Sequence, residues 1–516
     1  MNLPLPCPRC RAFRLQLGSQ SPRALPRRTF TAHKRPPSAP KPIIDYKAIR
    51  RDPELYERTC KQRNYGPLAQ HPSRIVELHQ KCLQLQRQVR SDQVWANLLR
   101  RYLANRTKFL ADTATDSHDN TKKLREMSPE QVKAAARDVK TKIAEFEKAE
   151  SEALAEIHAL ALEMPNLTSE NTPPGDEHKV RSYINESPLP PNTKPGTTMT
   201  AHLWRSHDDI GTELGVLDFA TAATTSGWGW YYMLGGAAQL EQALIQYALS
   251  MATKHGWTQV SPPTMVYSHI GSACGFRPRD THGEQQVYTV AQGHEDAARG
   301  VPELCLSGTS EIPLAGMKVS CTIPAKDLPL KCVAVSRCYR AEAGARGADT
   351  RGLYRVHEFT KVELFAWTAP ESAAAETVYQ QILGLQTEIL RSLGLYCRVL
   401  EMPARDLGAS ATRKIDIEAW FPGRQKLPSA GWGEVTSAST CTDYQTRRLA
   451  TRTEFNGAKA FPWTCNGTAL AVPRVVAALM EYGWDEETKT VVIPPVLRPW
   501  MGGRERFGRV GELESE

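Results

Sequence analysis

Two apolar stripes of helical period, one following the other, set the strongest limit on how this 516-residue chain can fold. In the first, Ile75, Leu78, Cys82, Leu85 and Val89 recur at spacings of three and four. The register continues through Ala96, Leu99, Leu103 and Leu110, with Asp92 and Arg106 as polar interruptions, so residues 73–112 read as one long helix. A polar stretch runs from Asp112 to Met127. Ser128-Pro129-Glu130-Gln131 then supplies an N-cap, a first-turn proline and a capping-box glutamine. The second stripe is Val132, Ala136, Val139, Ile143, Phe146, Ala153, Ile157, Leu160 and Met164, and Pro165 ends it. Neither helix can bury its own stripe, so the pair is expected to fold back as an antiparallel hairpin.

Such an arm can serve dimerisation or partner binding. Its surface, however, carries Arg100, Arg101, Arg106, Lys108, Lys122, Lys123 and Arg125 crowded toward the tip, with few acids before Glu145. That pattern suits contact with RNA phosphates. The net charge of +9 points the same way, although part of it resides in residues 1–44. Those residues contain no Asp or Glu but carry Arg9, Arg11, Arg14, Arg23, Arg27, Arg28, Lys34, Arg35 and Lys41. A basic, acid-free N-terminus predicts import into the mitochondrial matrix, with cleavage before Asp45; a disordered basic tail that touches RNA is the alternative. No apolar run approaches the ~20 residues needed to span a bilayer, so no membrane segment is expected. The 12 cysteines are scattered, which fits a reduced compartment, and Cys7 and Cys10 have no second pair with which to hold zinc.

Residues 45–166 thus form the arm. Residues 167–200, rich in Pro, Asn, Thr and Gly, read as a linker. From 201 to 504 the pattern is mixed, with helices over 237–254, 371–393 and 468–482 and strands over 257–261, 332–339, 353–367 and 395–401. This predicts an α+β domain built on an antiparallel sheet flanked by helices. Residues 505–516 read as a tail. There is no Gly-x-x-x-x-Gly-Lys loop and no dinucleotide fingerprint, so any nucleotide must be held in another way.

The segment with most chemistry is Arg340-Ala341-Glu342, a Gly-rich loop, then Leu353 to Glu363. Two-residue alternation places Arg340 with Glu342 on one strand, and Phe359, Lys361 and Glu363 together on the returning strand. A guanidinium that can clamp a phosphate, two carboxylates and an aromatic ring would then face one site.

This hairpin resembles motif 2 of class II aminoacyl-tRNA synthetases, in the form found in seryl-tRNA synthetases. Other pieces resemble the same family in order. They are Gly256-Trp257-Thr258-Gln259-Val260-Ser261-Pro262-Pro263 (motif 1, the dimer element), Thr309-Ser310-Glu311 (the serine-recognition loop) and Asp416-Ile417-Glu418-Ala419-Trp420 (a core strand). Glu434-Val435-Thr436-Ser437 with Cys441-Thr442-Asp443-Tyr444-Gln445 resembles the ATP-metal strand, Asn466-Gly467-Thr468 to Arg474 motif 3, and Ile493 to Pro499 the C-terminal tail. The likeness covers residues 45–504, arm included.

The resemblance implies a serine–tRNA ligase that uses ATP and Mg²⁺, pairs as a homodimer and grips tRNA(Ser) through the arm. Arg340, Glu434 and Arg474 are the implied catalytic residues. ATP is expected on Arg340, Ala341, Glu342, Val356, His357, Glu358, Phe359, Glu434, Val435, Thr436, Ser437 and Arg474, with Phe359 stacked on the adenine. Serine is expected on Thr309, Ser310, Glu311, Arg340, Glu363 and Thr468, and Mg²⁺ on Glu434 and Ser437. Thr436, Thr440, Ala469 and Pro473 depart from common family forms; Pro473 fits a helix only in its first turn. A catalytically inactive RNA-binding paralogue is the alternative, and the presence of Arg340, Glu363, Glu434 and Arg474 speaks against it.

Overall fold

The computed structural model describes residues 39–116, 118–187, 205–276, 285–342 and 351–511. Most of the basic N-terminal segment, the end of the linker and most of the Gly-rich loop lie outside the described residues.

The two stripes form the expected pair, helix α1 (His71–Ala104) and helix α2 (Pro129–Glu163). Gln86 bonds Glu150 at 2.7 Å and Arg74 bonds Glu156 at 3.0 Å, a pairing that runs antiparallel. Ser128 and Gln131 close both halves of the capping box. The first helix does not run to 112. Asn105 leaves helical geometry and its side chain accepts from Lys108 N at 2.9 Å, starting a new short helix, Arg106–Asp112. Phe109 of the new helix packs on the buried Tyr102, and Leu103 is left 41% exposed. The arm therefore has two separate cores. One at its base joins Ile75, Leu78 and Cys82 to Ala153 and Ile157; one near its tip joins Leu99, Tyr102 and Phe109 to Leu124, Val132 and Val139.

The base is fastened to the rest of the chain through backbone carbonyls. Arg63, 1% exposed, donates to the carbonyls of Asn166 and Gly408. Arg448 donates to Met164 O at 3.1 Å and Leu162 O at 3.2 Å. The Asn166 amide donates to Ser410 O and Cys441 O. A buried guanidinium needs acceptors for its N–H groups, and the terminal nitrogens of Arg63 and Arg448 find them in these carbonyls, so the bonds fix one geometry at the joint.

The remainder is built on one eight-stranded sheet. In chain order its elements and neighbours are β1 (Lys179–Ile184), α3 (Gly235–Lys254), β2 (Thr258–Val260), β3 (Leu330–Tyr339), β4 (Glu358–Thr368), α4 (Ser372–Ser392), β5 (Cys397–Glu401), β6 (Arg413–Trp420), β7 (Trp432–Thr442), β8 (Trp463–Ala471) and α5 (Val472–Gly483). The strand order is β1-β5-β6-β7-β8-β4-β3-β2, antiparallel throughout except for the β2–β3 pair. Alternation divides the sheet's chemistry between its faces. Val333, Val362, Leu364, Ile415, Ile417 and Ala438 join Leu240, Leu244, Ile382, Ile389, Val475 and Leu479 of α3, α4 and α5 in one core. The opposite face carries Ser336, Lys361, Glu363, Thr468, Ser437 and Asp416, paired across the strands as Ser336 with Lys361, Glu363 with Thr468, and Asp416 with Ser437.

Several boundaries differ from expectation. Residues 179–184, within the stretch read as linker, form the edge strand β1. The strand expected from 353 begins at Glu358. The last helix begins at Val472 rather than 468, because residues 468–471 complete the pairing with β4. Pro473 consequently falls in the first turn, where no backbone bond is lost. Arg506–Phe507, assigned to the tail, pairs with Val491 and Val492 and buries Phe507.

Gly467 is packed too closely for a side chain. A Cβ there would lie 2.4 Å from Ile382 and 3.1 Å from the Gln386 amide, which donates to Ser437 O and Thr468 O. Gly467→Ala should lower the stability measured by urea unfolding by roughly 1–3 kcal/mol. An unchanged unfolding midpoint would contradict this packing.

Candidate active site

The polar face of the sheet meets the start of α5 in a cleft. Arg340 follows directly on β3; its amide donates to His357 O at 2.9 Å and its guanidinium stands 5.2 Å from the Phe359 ring. Phe359 and Lys361, two apart on β4, line the cleft with it, as do Glu342, Val356 and Thr468. Arg340 and Glu342 do not share a strand face. The strand ends at Tyr339, and Glu342 has a left-handed backbone (φ 45°), yet it still reaches the cleft, where Arg355 bonds it at 3.0 Å.

Arg474, in the first turn of α5, is held from three directions. Its Nε donates to Tyr354 O at 2.9 Å, its Nη1 donates to Glu434 O at 2.9 Å, and its guanidinium lies 4.5 Å over the Tyr354 ring. The Glu434 carboxylate opens into the cleft 3.5 Å from that guanidinium. Burial opposes its charge, but Arg474, then Lys414, Arg340 and Lys361, outweigh burial and hold the carboxyl below its ordinary range.

Deeper on the same face lies a second constellation. Lys361 Nζ is 2.6 Å from Glu363, which also accepts from Thr468 Oγ1 at 3.2 Å. Glu311 accepts from Gln445 at 2.6 Å, and Thr464 donates to the same glutamine at 2.6 Å. Burial first, then the neighbouring Glu363, push the Glu311 carboxyl up to about 7. Ser310 accepts from Ser336 at 3.0 Å, and Thr309 Oγ1 accepts from Glu311 N at 3.3 Å. All three residues of the 309–311 loop are buried.

Other expected site residues point elsewhere. His357 is wedged among Trp228, Trp230 and Tyr288, with Nδ1 3.1 Å from Arg340 O; Glu358 turns to the other side of β4 and pairs with Arg337 at 3.1 Å. Val435 is in the hydrophobic core, and the Thr436 hydroxyl donates to Thr468 O. The Ala341 amide donates to Gln286 O. Ser437 faces Asp416 across the ladder, and Asp416 in turn pairs with Lys414 at 2.7 Å. Apart from Ser437, whose side chain is on the polar face beside Asp416, these residues shape the cleft's walls through backbone and packing rather than through side chains in it.

Comparison with known proteins gives the same picture. Residues 288–482 match the tRNA synthetase class II core domain (G, H, P, S and T). The mitochondrial serine–tRNA ligase of Saccharomyces cerevisiae is 44% identical over 345 residues, 66% of this chain and 72% of that one. Its counterpart in Schizosaccharomyces pombe is 36% identical over 459 residues, 89% of this chain and 88% of that one. The chain belongs to the seryl-tRNA synthetase family. A crystal structure of the seryl-tRNA synthetase from Pyrococcus horikoshii complexed with ATP superimposes with a TM-score of 0.72 at 29% identity, over 91% of this chain and all of that one.

Sequence reasoning left four site features of this synthetase unassigned: Lys361, Gln445, Tyr354 and the Lys414–Asp416 pair. Lys361 carried a usable signal, being in step with Phe359 and Glu363 on one strand. Gln445 and Tyr354 act across long sequence separations, and nothing local in the chain announces their partners.

The raised Glu311 carboxyl predicts a pH dependence. The folded protein holds a proton there that the unfolded chain, with an ordinary carboxyl near 4.5, has released. The corresponding stability is present at acid pH and lost as pH rises through about 7. Glu311→Gln should remove a decline on the order of 3 kcal/mol between about pH 4.5 and 8, read by urea unfolding of both proteins across that range. Parallel pH profiles would contradict the assignment.

Proposed function

We propose that the cleft is where this serine–tRNA ligase makes seryl-adenylate and then esterifies the 3′ end of tRNA(Ser). In the first step the serine carboxylate attacks the α-phosphorus of ATP and pyrophosphate leaves. In the second, the terminal ribose hydroxyl of tRNA takes the seryl group and AMP is released. The observation that carries the reading is the adjacency of two pre-paired charge sets on one sheet face. Arg340 and Arg474 beside Phe359 suit a polyphosphate and a purine; Glu311, Glu363 and Thr468 suit an amino acid.

Displacement at phosphorus is governed mainly by positioning and electrostatics. Arg340 takes the charge on the α-phosphate, and Phe359 provides a face for the adenine, whose amino group Glu342 contacts. Arg474 holds the other end of the triphosphate, with the start of α5 adding its positive dipole end. Glu434 and Ser437 supply hard oxygen donors, and a Mg²⁺ that keeps most of its ligands from phosphate and water fits such a sparse set. That ion would screen the phosphates' charge.

The substrate ammonium pairs with the buried carboxylates and displaces the proton from Glu311. A pocket that hydrogen-bonds the serine hydroxyl discriminates against alanine by about 10⁴-fold or more, since its polar groups would otherwise stay unpaired.

The arm's basic tip is the proposed grip on tRNA, through phosphate contacts. Homodimerisation through α3 and β2 rests on their likeness to motif 1. The basic N-terminus and the mitochondrial relatives support work in the mitochondrial matrix.

Two measurements test this reading. Arg340→Ala should lower serine-dependent pyrophosphate exchange by about 10²–10³-fold, the usual effect of removing a donor to developing charge; near-normal exchange would remove Arg340 from the mechanism. Because the arm has two cores, deleting residues 91–145 and closing the gap with a short turn should spare exchange while abolishing tRNA charging. Charging that survives would show that the tip is not the grip.

A further inference from the structure

A buried imidazole ties the nucleotide side of the cleft to α5 from behind. His207, 3% exposed, opens a short helix outside the sheet. Its Nδ1 is 2.8 Å from Glu481 Oε1, and its own amide donates to the same oxygen at 3.1 Å. Glu481, on α5, takes a further bond from Gly423 N at 2.8 Å. On the other side of the ring, Leu353 N donates to His207 Nε2 at 3.0 Å. An amide N–H can only donate, so Nε2 must be the acceptor and the ring proton must sit on Nδ1, facing the carboxylate. The bonding pattern thus fixes one neutral tautomer.

What this imidazole holds leads directly to the cleft. Leu353 is fully buried and precedes Tyr354. The Tyr354 hydroxyl accepts from Glu434 N at 2.8 Å, its carbonyl accepts from Arg474, and its ring lies under the guanidinium of Arg424 at 3.8 Å as well as that of Arg474. Gly352 (φ +66°) makes the approach possible, because a Cβ there would lie 2.1 Å from His207 Nε2.

We propose that His207 is a positioning residue for ATP: by accepting from Leu353 it sets the backbone of residues 352–356, and through Tyr354 it sets Arg474 and Glu434. This rests on the reading that those residues hold the nucleotide. The imidazole does not line the cleft; it acts through the segment it anchors.

Two amide substitutions separate this from a merely structural role. His207→Gln places an amide oxygen near the Nε2 position and keeps an acceptor for Leu353. His207→Asn places an amide nitrogen near the Nδ1 position and keeps a donor for Glu481. Serine-dependent pyrophosphate exchange on the full chain, with ATP and serine varied in turn, reads the outcome, with the thermal midpoint alongside. The Asn variant should lose about tenfold in kcat/KM for ATP with little change in the serine KM. The Gln variant should recover most of that loss even though its Tm falls with the lost Glu481 contact. Equal losses in the two variants, or losses that follow Tm, overturn the proposal. If His207→Asn does not fold, Gly352→Ala carries the test, since its Cβ displaces the ring from Leu353; unchanged ATP parameters there also overturn it. Arg474→Ala separates the two layers. Normal exchange in that variant removes the nucleotide assignment and the brace with it, whereas a dead Arg474→Ala beside a normal His207→Asn removes the brace alone.

Discussion

Charges gathered on one face of a sheet are stable only if each has a partner before substrate arrives. Lys361 with Glu363, Arg474 with Glu434, and Lys414 with Asp416 meet that condition within 2.6–3.5 Å. Isolated, any of these ions would suffer a large desolvation penalty in the sheet's interior. Paired, they form a fixed electrostatic surface that need not reorganise when a triphosphate enters, which is the condition for efficient charge stabilisation. The opposite face makes the arrangement possible. Its continuous apolar core against α3, α4 and α5 fixes strand register, and a one-residue slip would invert every one of these side chains.

The same principle governs the arm. Its two helices bury each other's stripes, but its direction is fixed at the base by Arg63, Asn166 and Arg448, which bond mainly backbone carbonyls. Carbonyls in rigid segments leave little angular freedom. An arm held in this way keeps its basic tip at a set distance from the cleft, as the proposed grip on tRNA requires.

Much of this was legible in the sequence because it depends on short-range periodicity. The heptad stripes, the capping box at Ser128 and the alternation of Phe359, Lys361 and Glu363 are local patterns with one geometric solution each. Glu434, Arg474 and Thr468, singled out from ordered motifs, line one cleft, and Glu363 bonds Thr468 beside it. Boundaries were lost where a side chain or a strand partner overrode local preference: Asn105 broke the first helix by capping the next, and residues 468–471 stayed in the sheet because β4 pairs with them. Glu358, Val435 and Thr436 were drawn into the site by sequence adjacency, and strand alternation turned them away from it; His357, just before β4, is held instead among Trp228, Trp230 and Tyr288. The Gln445 bridge and the His207 brace join residues far apart in the chain, so no window of sequence contains them.

The central claim is that nucleotide and amino acid meet on this polar face. A crystal structure with a non-hydrolysable sulfamoyl analogue of seryl-adenylate tests it most directly. The account places the adenine on Phe359, the sulfamoyl group at Arg340, and the seryl ammonium and hydroxyl among Glu311, Glu363 and Thr468. An analogue bound with its seryl moiety away from those carboxylates, or with Arg340 and Arg474 turned to solvent, would contradict it.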